Sequence, residues 1–318
     1  MNFHENPILL ANDIQDDVSH ENTLELSQES LGFPEKPTVS SCSFGFLSFH
    51  RDDVESQNEI HAEALEAYNR GKYGEASKLY AAYIQELRQS GQQNSGEMAL
   101  AYNNLGSCLE KIGFYERASD LYKEALNIYE SMGNENSSAV AVCYGNIGSL
   151  LFLSGDFEKS LDHYNKSLKL RISIFGSEHK SLISTYNNIG RVHLGLGEYD
   201  SAISNLEKAL YLSQKVSTRD PEQFASCYSN LAFAYSRQAK YQEALEGHLK
   251  SLKIRSSFYG FDHPKVAICY QHIGMVYFHQ KNYSLALDWM RASQEILTKF
   301  FPKYHPTLGT CSTNIGLI

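Results

Sequence analysis

Asparagine side chains recur along the chain at positions where they could bind the backbone of a peptide. A carboxamide has both a donor and an acceptor, so a row of asparagines can pair with both backbone groups of an extended segment. Two arginines in the same stretches could add charge-assisted hydrogen bonds to an acidic partner. The candidate peptide-binding residues are Asn103, Asn104, Asn146, Asn187, Asn188, Arg191, Asn230 and Arg237.

Cysteine and histidine side chains could bind a metal ion, but their spacing argues against a metal site. The chain has six cysteines and no CxxC pair. Ligands of one ion must converge, whereas these residues recur singly at intervals of 42 or 84 residues. We therefore predict that the cysteines are small buried packing residues and that the histidines lie at helix starts. The residues concerned are Cys143, Cys227, Cys269 and Cys311, and His179, His263 and His305.

Sequence signatures of catalysis are missing. The motifs GxxxxGK[ST], GxSxG and HExxH do not occur, and no GxGxxG follows a strand pattern. The sequence therefore predicts a protein that is not an enzyme, with no catalytic residues, no metal and no cofactor.

The charge of the chain is concentrated at one end. Residues 1–56 contain 11 acidic and two basic side chains, whereas residues 57–318 contain 26 of each. No region has an excess of basic residues, so the sequence does not predict a nucleic-acid partner. No apolar run approaches the roughly 18 residues that a membrane helix needs. Because the N-terminus lacks a secretory signal and the cysteines are scattered, we expect a cytoplasmic protein without a membrane partner.

A repeat of 42 residues organises most of the chain. One marker is glycine at 106, 148, 190, 274 and 316, with Ala232 in the remaining place. A second marker, an alanine or serine, runs from Ala76 to Ala286 at the same interval. The repeat predicts an acidic, mostly disordered tail and then an array. The tail is 1–56 and the array 57–318, divided into 57–98, 99–140, 141–182, 183–224, 225–266, 267–308 and a partial seventh unit, 309–318.

Each unit contains two helical patterns that are separated by a turn. In unit 99–140, Tyr102, Leu105, Gly106 and Leu109 follow the spacing of one helix face, and Gly113 then interrupts the pattern. The sixth position of each unit lies opposite this face at 100° per residue. The recurring asparagines there would line a groove, or, alternatively, they would bond between adjacent helices and only fix the stack.

These residues resemble the tetratricopeptide repeat, which has an aromatic residue, Leu-Gly and alanines at set positions. Unit 99–140 matches at Tyr102, Leu105, Gly106, Leu109, Ala118, Tyr122 and Ala125. The usual period is 34 residues; the 42-residue period and the unit end LKIRSSFYGFDHP are similar to the arrays of kinesin light chains. The resemblance implies an all-α fold, a right-handed superhelical solenoid of helix-turn-helix repeats with the first helices on the concave side.

The two ends of the chain lead to further predictions. Residues 30–35 (SLGFPE) loosely resemble the motif by which kinesin light chains occupy their own groove. One hypothesis is that the acidic tail folds back on the groove as an intramolecular partner; the other is that it is a solubilising tail that makes no contact. The sequence stops at Ile318 within a first-helix pattern, so it is either a fragment, an incomplete gene model or, if complete, a chain that we expect to self-associate through its C-terminal end.

These observations predict a protein-interaction scaffold or adaptor that binds short extended peptides in a concave groove. The mixture of basic and apolar residues on that face suits partner motifs with acidic and aromatic residues. Two other functions remain open at this point. The chain could be a structural assembly subunit that packs against folded partners, or a regulatory fragment of a longer signalling protein.

Overall fold

The computed structural model describes residues 59–133, 137–216, 220–302 and 305–318. Within these ranges the chain forms thirteen α-helices and no β-strand, so the all-α prediction is confirmed. The helices are α1 (Glu59–Asn69), α2 (Tyr73–Gln89), α3 (Gly96–Lys111), α4 (Tyr115–Ser131), α5 (Ser138–Leu153), α6 (Phe157–Phe175), α7 (Ser181–Leu196), α8 (Tyr199–Lys215), α9 (Pro221–Arg237), α10 (Tyr241–Tyr259), α11 (Pro264–His279), α12 (Tyr283–Phe300) and α13 (Pro306–Leu317).

The turn inside each repeat requires a left-handed backbone residue. Gly113, Gly155 and Gly197 have φ angles of 91°, 81° and 77°, a region that glycine enters without a steric penalty. Later turns place Ala239 and Lys281 at φ angles of 59° and 64° instead. The predicted break between first and second helices is confirmed, and the same turn forms even where glycine is absent.

Side chains cap the helices at the junctions between repeats. Such caps accept backbone N–H groups that have no partner within the first helical turn. The predicted helix-start role of the three histidines is confirmed, since His263 and His305 are N-caps and His179 accepts the N–H of the first residue of α7. The other junction caps are Ser95 before α3, Ser137 before α5 and Asp220 before α9.

The described helices belong to two compact units, α1–α8 and α9–α13. Within each unit, a second helix packs against the first helix of its own repeat and against the first helix of the next repeat. Large apolar and aromatic side chains fill the core, including Tyr80, Tyr122 and Leu206 in one unit and Tyr270 and Trp289 in the other.

Small residues allow the two helices of one repeat to approach closely. A methyl group added to Gly190 would lie 2.6 Å from Leu206 Cγ, and one added to Gly106 would lie 2.8 Å from Tyr122 Cε1. Ala232 replaces this glycine in unit 225–266, and there the space comes from Gly247, whose added Cβ would lie 2.8 Å from the Cβ of Ala232. The interruption in the glycine marker is therefore compensated on the facing helix.

No helix in the part of the chain that the structure describes is long and apolar enough to cross a membrane. The predicted tail, 1–56, and its motif at residues 30–35 lie outside the described residues. The predicted boundaries of the tail and of the repeats stay a prediction.

Candidate peptide-binding surfaces

The asparagines of α3 and α5 form a buried hydrogen-bond ladder. Asn103 and Asn104 are fully buried, and Asn146 is only 1 % exposed. The Nδ2 of Asn146 donates to the Oδ1 of Asn103 at 2.9 Å, and the Nδ2 of Asn103 donates to the Oδ1 of Asn104 at 3.2 Å. The Nδ2 of Asn104 then donates to the hydroxyl of Tyr80 on α2 at 3.4 Å. These hydrogen bonds link α2, α3 and α5.

Burial decides what these three asparagines can do in this arrangement. The Oδ1 of Asn103 also accepts a weak bond from the thiol of Cys143 at 3.7 Å, so one side chain serves two partners on α5. A peptide could bond to Asn103, Asn104 or Asn146 only if contacts between neighbouring helices opened first. For these three residues the geometry thus favours the structural alternative, in which the asparagines bond between adjacent helices and hold the repeats together. Their role in peptide binding stays a prediction.

A simple pairing rule describes the ladder. Asn146, at the sixth position of its repeat, bonds Asn103, at the fifth position of the preceding repeat. The same pairing recurs in the other compact unit, where His272 Nδ1 and Ser229 Oγ lie 3.1 Å apart. For Asn188 the equivalent partner position holds Gly145, which has no side chain. The rule therefore predicts that Asn188 is left available for other contacts.

Of the predicted peptide-binding residues in the compact unit α1–α8, the accessible ones lie on α7. Asn187, Asn188 and Arg191 are all half-buried. The guanidinium of Arg191 lies over the ring of Phe152, with its central carbon 4.5 Å from the ring centroid. Phe152 in turn packs against Phe157 at a centroid distance of 5.5 Å. We call Phe152, Asn188 and Arg191 the α7 surface.

The contact with Phe152 leaves the charge of Arg191 unneutralised. A guanidinium over an aromatic ring can still donate its N–H groups to a carboxylate. Among the described residues, no acidic side chain forms an ion pair with Arg191. The α7 surface therefore combines an apolar ring, a carboxamide and a cation.

Residues of the same types occur in the compact unit α9–α13. Asn230 is half-buried on α9, while Phe233 is 45 % exposed and Arg237 is exposed. Their spacing of three and seven residues places them along one face of that helix. We call these three residues the α9 surface.

A pair of histidines in the second unit was missed by sequence reasoning. The ring of His272 lies 5.1 Å from the ring of His248, which is only 2 % exposed. Burial lowers the pKa of His272 to about 4, and the nearby charge of Arg255 acts in the same direction. Burial also places the pKa of His248 well below its usual value. His248 occupies a repeat position that is usually aromatic, and this departure from the repeat pattern was the signal in the sequence.

Buried arginines near the ends of the second helices were also missed. Arg255 donates to Glu222 at 2.8 Å, and Lys265 contacts the other oxygen of the same carboxylate at 3.2 Å. Arg171 occupies the equivalent place in the other unit, where it donates to Ser167 Oγ at 3.2 Å. The contacts with Glu222 join α10 and α11 to α9, and the Arg171 bond lies within α6, so these residues stabilise packing and do not line either surface.

The cysteines behave as predicted. Cys143, Cys227, Cys269 and Cys311 are all buried, and none is paired in a disulfide. Burial raises the pKa of the Cys143 and Cys227 thiols to about 12, which keeps both in the neutral form that does not bind metals. Within the described ranges, no group of three or more potential ligand side chains could hold a metal ion.

Comparison with known protein families identifies the repeat class. The sequence profile of the tetratricopeptide repeat matches residues 97–173, 139–215 and 223–318. The chain belongs to the tetratricopeptide repeat family, which confirms the resemblance drawn from the motif residues. The assignment supports a protein–protein interaction scaffold in general terms, and this fold is typically non-catalytic. No match to a curated protein was found by sequence comparison.

Several solved structures share the fold at low identity. BtubC (BKLC) from P. vanneervenii has a TM-score of 0.59 and 18 % identity, covering 78 % of this chain and 96 % of that one. A putative kinesin light chain from Podosopora anserina has a TM-score of 0.53 and 16 % identity, covering 64 % and 97 %. A Rap protein complexed with Competence and Sporulation Factor has a TM-score of 0.58 and 14 % identity, covering 81 % and 73 %. These likenesses concern the fold alone.

Proposed function

We propose that the chain is an interaction scaffold that binds short, extended peptides on the faces of its first helices. The α7 surface is the main contact, and the peptide carries an apolar or aromatic residue next to an acidic one. The observation that carries this proposal is the accessibility of Asn188 and Arg191 beside Phe152, in contrast to the buried asparagines of α3 and α5.

Each residue of the α7 surface has a distinct role in this proposal. The carboxamide of Asn188 pairs with the peptide backbone, because it can donate and accept at once. Arg191 receives the acidic side chain in a charge-assisted hydrogen bond, and Phe152 contacts the apolar residue. Recognition of this kind concentrates binding energy in a few aromatic and arginine residues.

The α9 surface supports the same function in the second unit. Asn230 and Arg237 are residues of the same types, and the exposed ring of Phe233 offers an apolar contact. We propose that this surface binds a peptide of the same class. Asn187 contributes beside Asn188, whereas Asn103, Asn104 and Asn146 contribute indirectly by holding α3 and α5 in place.

A peptide library selection tests the proposal directly. The full chain is used to select random 12-residue peptides, and the dissociation constant of each enriched peptide is then measured by fluorescence anisotropy. We expect enrichment of acidic residues next to apolar ones. The double variant Asn188→Ala, Arg191→Glu should bind these peptides at least about tenfold more weakly, which is the effect of losing a central contact residue.

The matched control changes the same charge elsewhere. Lys169 is an exposed residue of α6, a second helix, so Lys169→Glu alters the net charge without touching the α7 surface. This variant should bind the selected peptides like the wild type. If the double variant binds the selected peptides with wild-type affinity, or if the wild type enriches no peptide, the proposed function is wrong.

A further inference from the structure

Three junctions between repeats contain the same histidine arrangement. In each, the ring Nδ1 accepts the backbone N–H of the residue two positions later, and the histidine carbonyl accepts the N–H three positions later. The Nδ1 distances are 3.2 Å from Ser181 to His179, 3.2 Å from Lys265 to His263 and 3.3 Å from Thr307 to His305.

Each of these imidazoles also stacks on an aromatic ring four residues earlier. The centroid distances are 4.4 Å for Phe175 and His179, 4.4 Å for Tyr259 and His263, and 4.0 Å for Phe301 and His305, with interplanar angles of 15°, 14° and 17°. The aromatic residue ends, or directly follows, the second helix of one repeat. The histidine therefore joins the end of one repeat to the first turn of the next.

We propose that these histidines are acid-sensitive latches between repeats, which release the first turn of α7, α11 and α13 when they are protonated. A backbone N–H can only donate, so Nδ1 must keep its lone pair and the ring proton must be on Nε2. Protonation turns the acceptor into a donor. It also places a positive charge at a helix N-terminus, where the helix dipole is unfavourable to cations.

Burial and most of the nearby charges lower the pKa of two of these histidines. Burial, followed by the nearby charges of Lys180 and Arg171, lowers the pKa of His179. Burial and Lys265 lower the pKa of His263, while the carboxylate of Glu222 opposes them. Because the folded state binds these protons less readily than the unfolded state, stability that is complete above about pH 6.5 is lost as the pH falls below it.

The remaining junctions provide internal controls. Ser95 and Ser137 cap α3 and α5 through hydroxyl oxygens, which do not titrate in this range. At the fourth junction, the carboxylate of Asp220 accepts the N–H groups of Glu222 and Gln223. Acid should therefore loosen the histidine-capped helix starts while it leaves the two serine-capped starts in place.

Hydrogen exchange of the full chain at pH 7.5 and pH 5.5 tests the proposal. After correction for the intrinsic pH dependence of exchange, amides in the first turns of α7, α11 and α13 should exchange about fivefold faster at pH 5.5. Amides in the first turns of α3 and α5 should change less than about twofold. An equal increase at serine-capped and histidine-capped helix starts would overturn the proposal.

A triple variant separates these latches from other histidines. Asparagine also caps helices but does not titrate, so H179N/H263N/H305N should melt within about 2 °C of the wild type at pH 7.5. Its loss of melting temperature at pH 5.5 should be clearly smaller than that of the wild type. The control His279→Asn, at an exposed residue of α11, should keep the full acid shift. An unchanged acid shift in the triple variant would contradict the latch.

A measurement on the wild-type protein tests the proposal without a variant, so a folding defect cannot affect the result. The ring nitrogen spectra of ¹⁵N-histidine-labelled protein report which nitrogen carries the proton. At pH 7.5 the three latch histidines should be protonated at Nε2. Protonation at Nδ1 in these rings would overturn the proposal, whatever the behaviour of the triple variant.

Discussion

Helices α5 and α7 are successive first helices of one compact unit, yet they use the same residue differently. Asn146 on α5 is buried and donates to Asn103 of the preceding repeat. Asn188 stands at the equivalent position on α7 and is half-buried. The partner position for Asn188 is Gly145, which offers no side chain. A single glycine in the preceding repeat thus separates an asparagine that holds the stack from one that can meet a ligand.

This difference shows that a recurring residue need not have a recurring function. A buried carboxamide must satisfy its donors and acceptors within the protein, and it then rigidifies the packing around it. An accessible carboxamide can exchange water for a ligand at little cost to the fold. The two roles predict opposite responses to substitution, with large stability effects on α3 and α5 and binding effects on α7.

The largest effect is expected from a buried charge at the ladder. Asn146→Asp replaces a donor that faces Asn103 Oδ1 with a carboxylate, so two acceptors would meet in a buried site. We expect the free energy of unfolding at pH 7.5 to fall by about 3 kcal/mol. Denaturant unfolding, followed by circular dichroism, measures this loss.

The matched control is Asn188→Asp, at the same repeat position on α7. It should cost less than about 1 kcal/mol, because water can still solvate the carboxylate at a half-buried site. Protonation would let the carboxyl group introduced on α5 donate to Asn103, so the penalty of the first variant should shrink at acidic pH relative to that of the second. Equal losses for the two variants would remove the distinction between the helices.

A smaller loss should follow when the acceptor of the ladder is removed. Asn103→Ala leaves the Nδ2 of Asn146 without this acceptor and also removes the weaker bond from Cys143. We expect a loss of about 2 kcal/mol in unfolding free energy, which is typical of an unsatisfied buried donor. Peptides selected on the α7 surface should still bind the folded variant. A stability change below about 0.5 kcal/mol would mean that the ladder does not hold the stack.

The sequence predicted most of the fold because the repeat and the helix periodicity depend on local spacing. Gly113, the helix pairs and the buried Cys143 could all be placed from the 42-residue pattern alone. Burial of Asn103 and Asn146 could not be derived in this way. Helical spacing places Asn146 opposite the apolar stripe, but it does not show how closely the next helix approaches either residue. The stacking of Arg191 on Phe152 depends on the same distance between neighbouring helices, so it too required the structure.

One clue to the difference between α5 and α7 was nevertheless present in the sequence. The fifth position of successive repeats holds Asn103, Gly145, Asn187 and Ser229, and the glycine marks the place where the ladder loses a partner. Its meaning emerges only once the contact between the fifth position of one repeat and the sixth of the next is known.

The smallest effect should come from restoring the missing partner. Gly145→Ser supplies a hydroxyl at the position that Ser229 occupies beside His272 in the other compact unit. Serine favours a helix over glycine by about 0.5 kcal/mol, so the free energy of unfolding should rise slightly. If the new hydroxyl bonds to Asn188, peptides that depend on this carboxamide should bind about threefold more weakly. If the new hydroxyl bonds to Asn188 and the peptide affinity is unchanged, Asn188 does not contact the peptide backbone. A loss of stability above about 1 kcal/mol would show that the site cannot accommodate the hydroxyl.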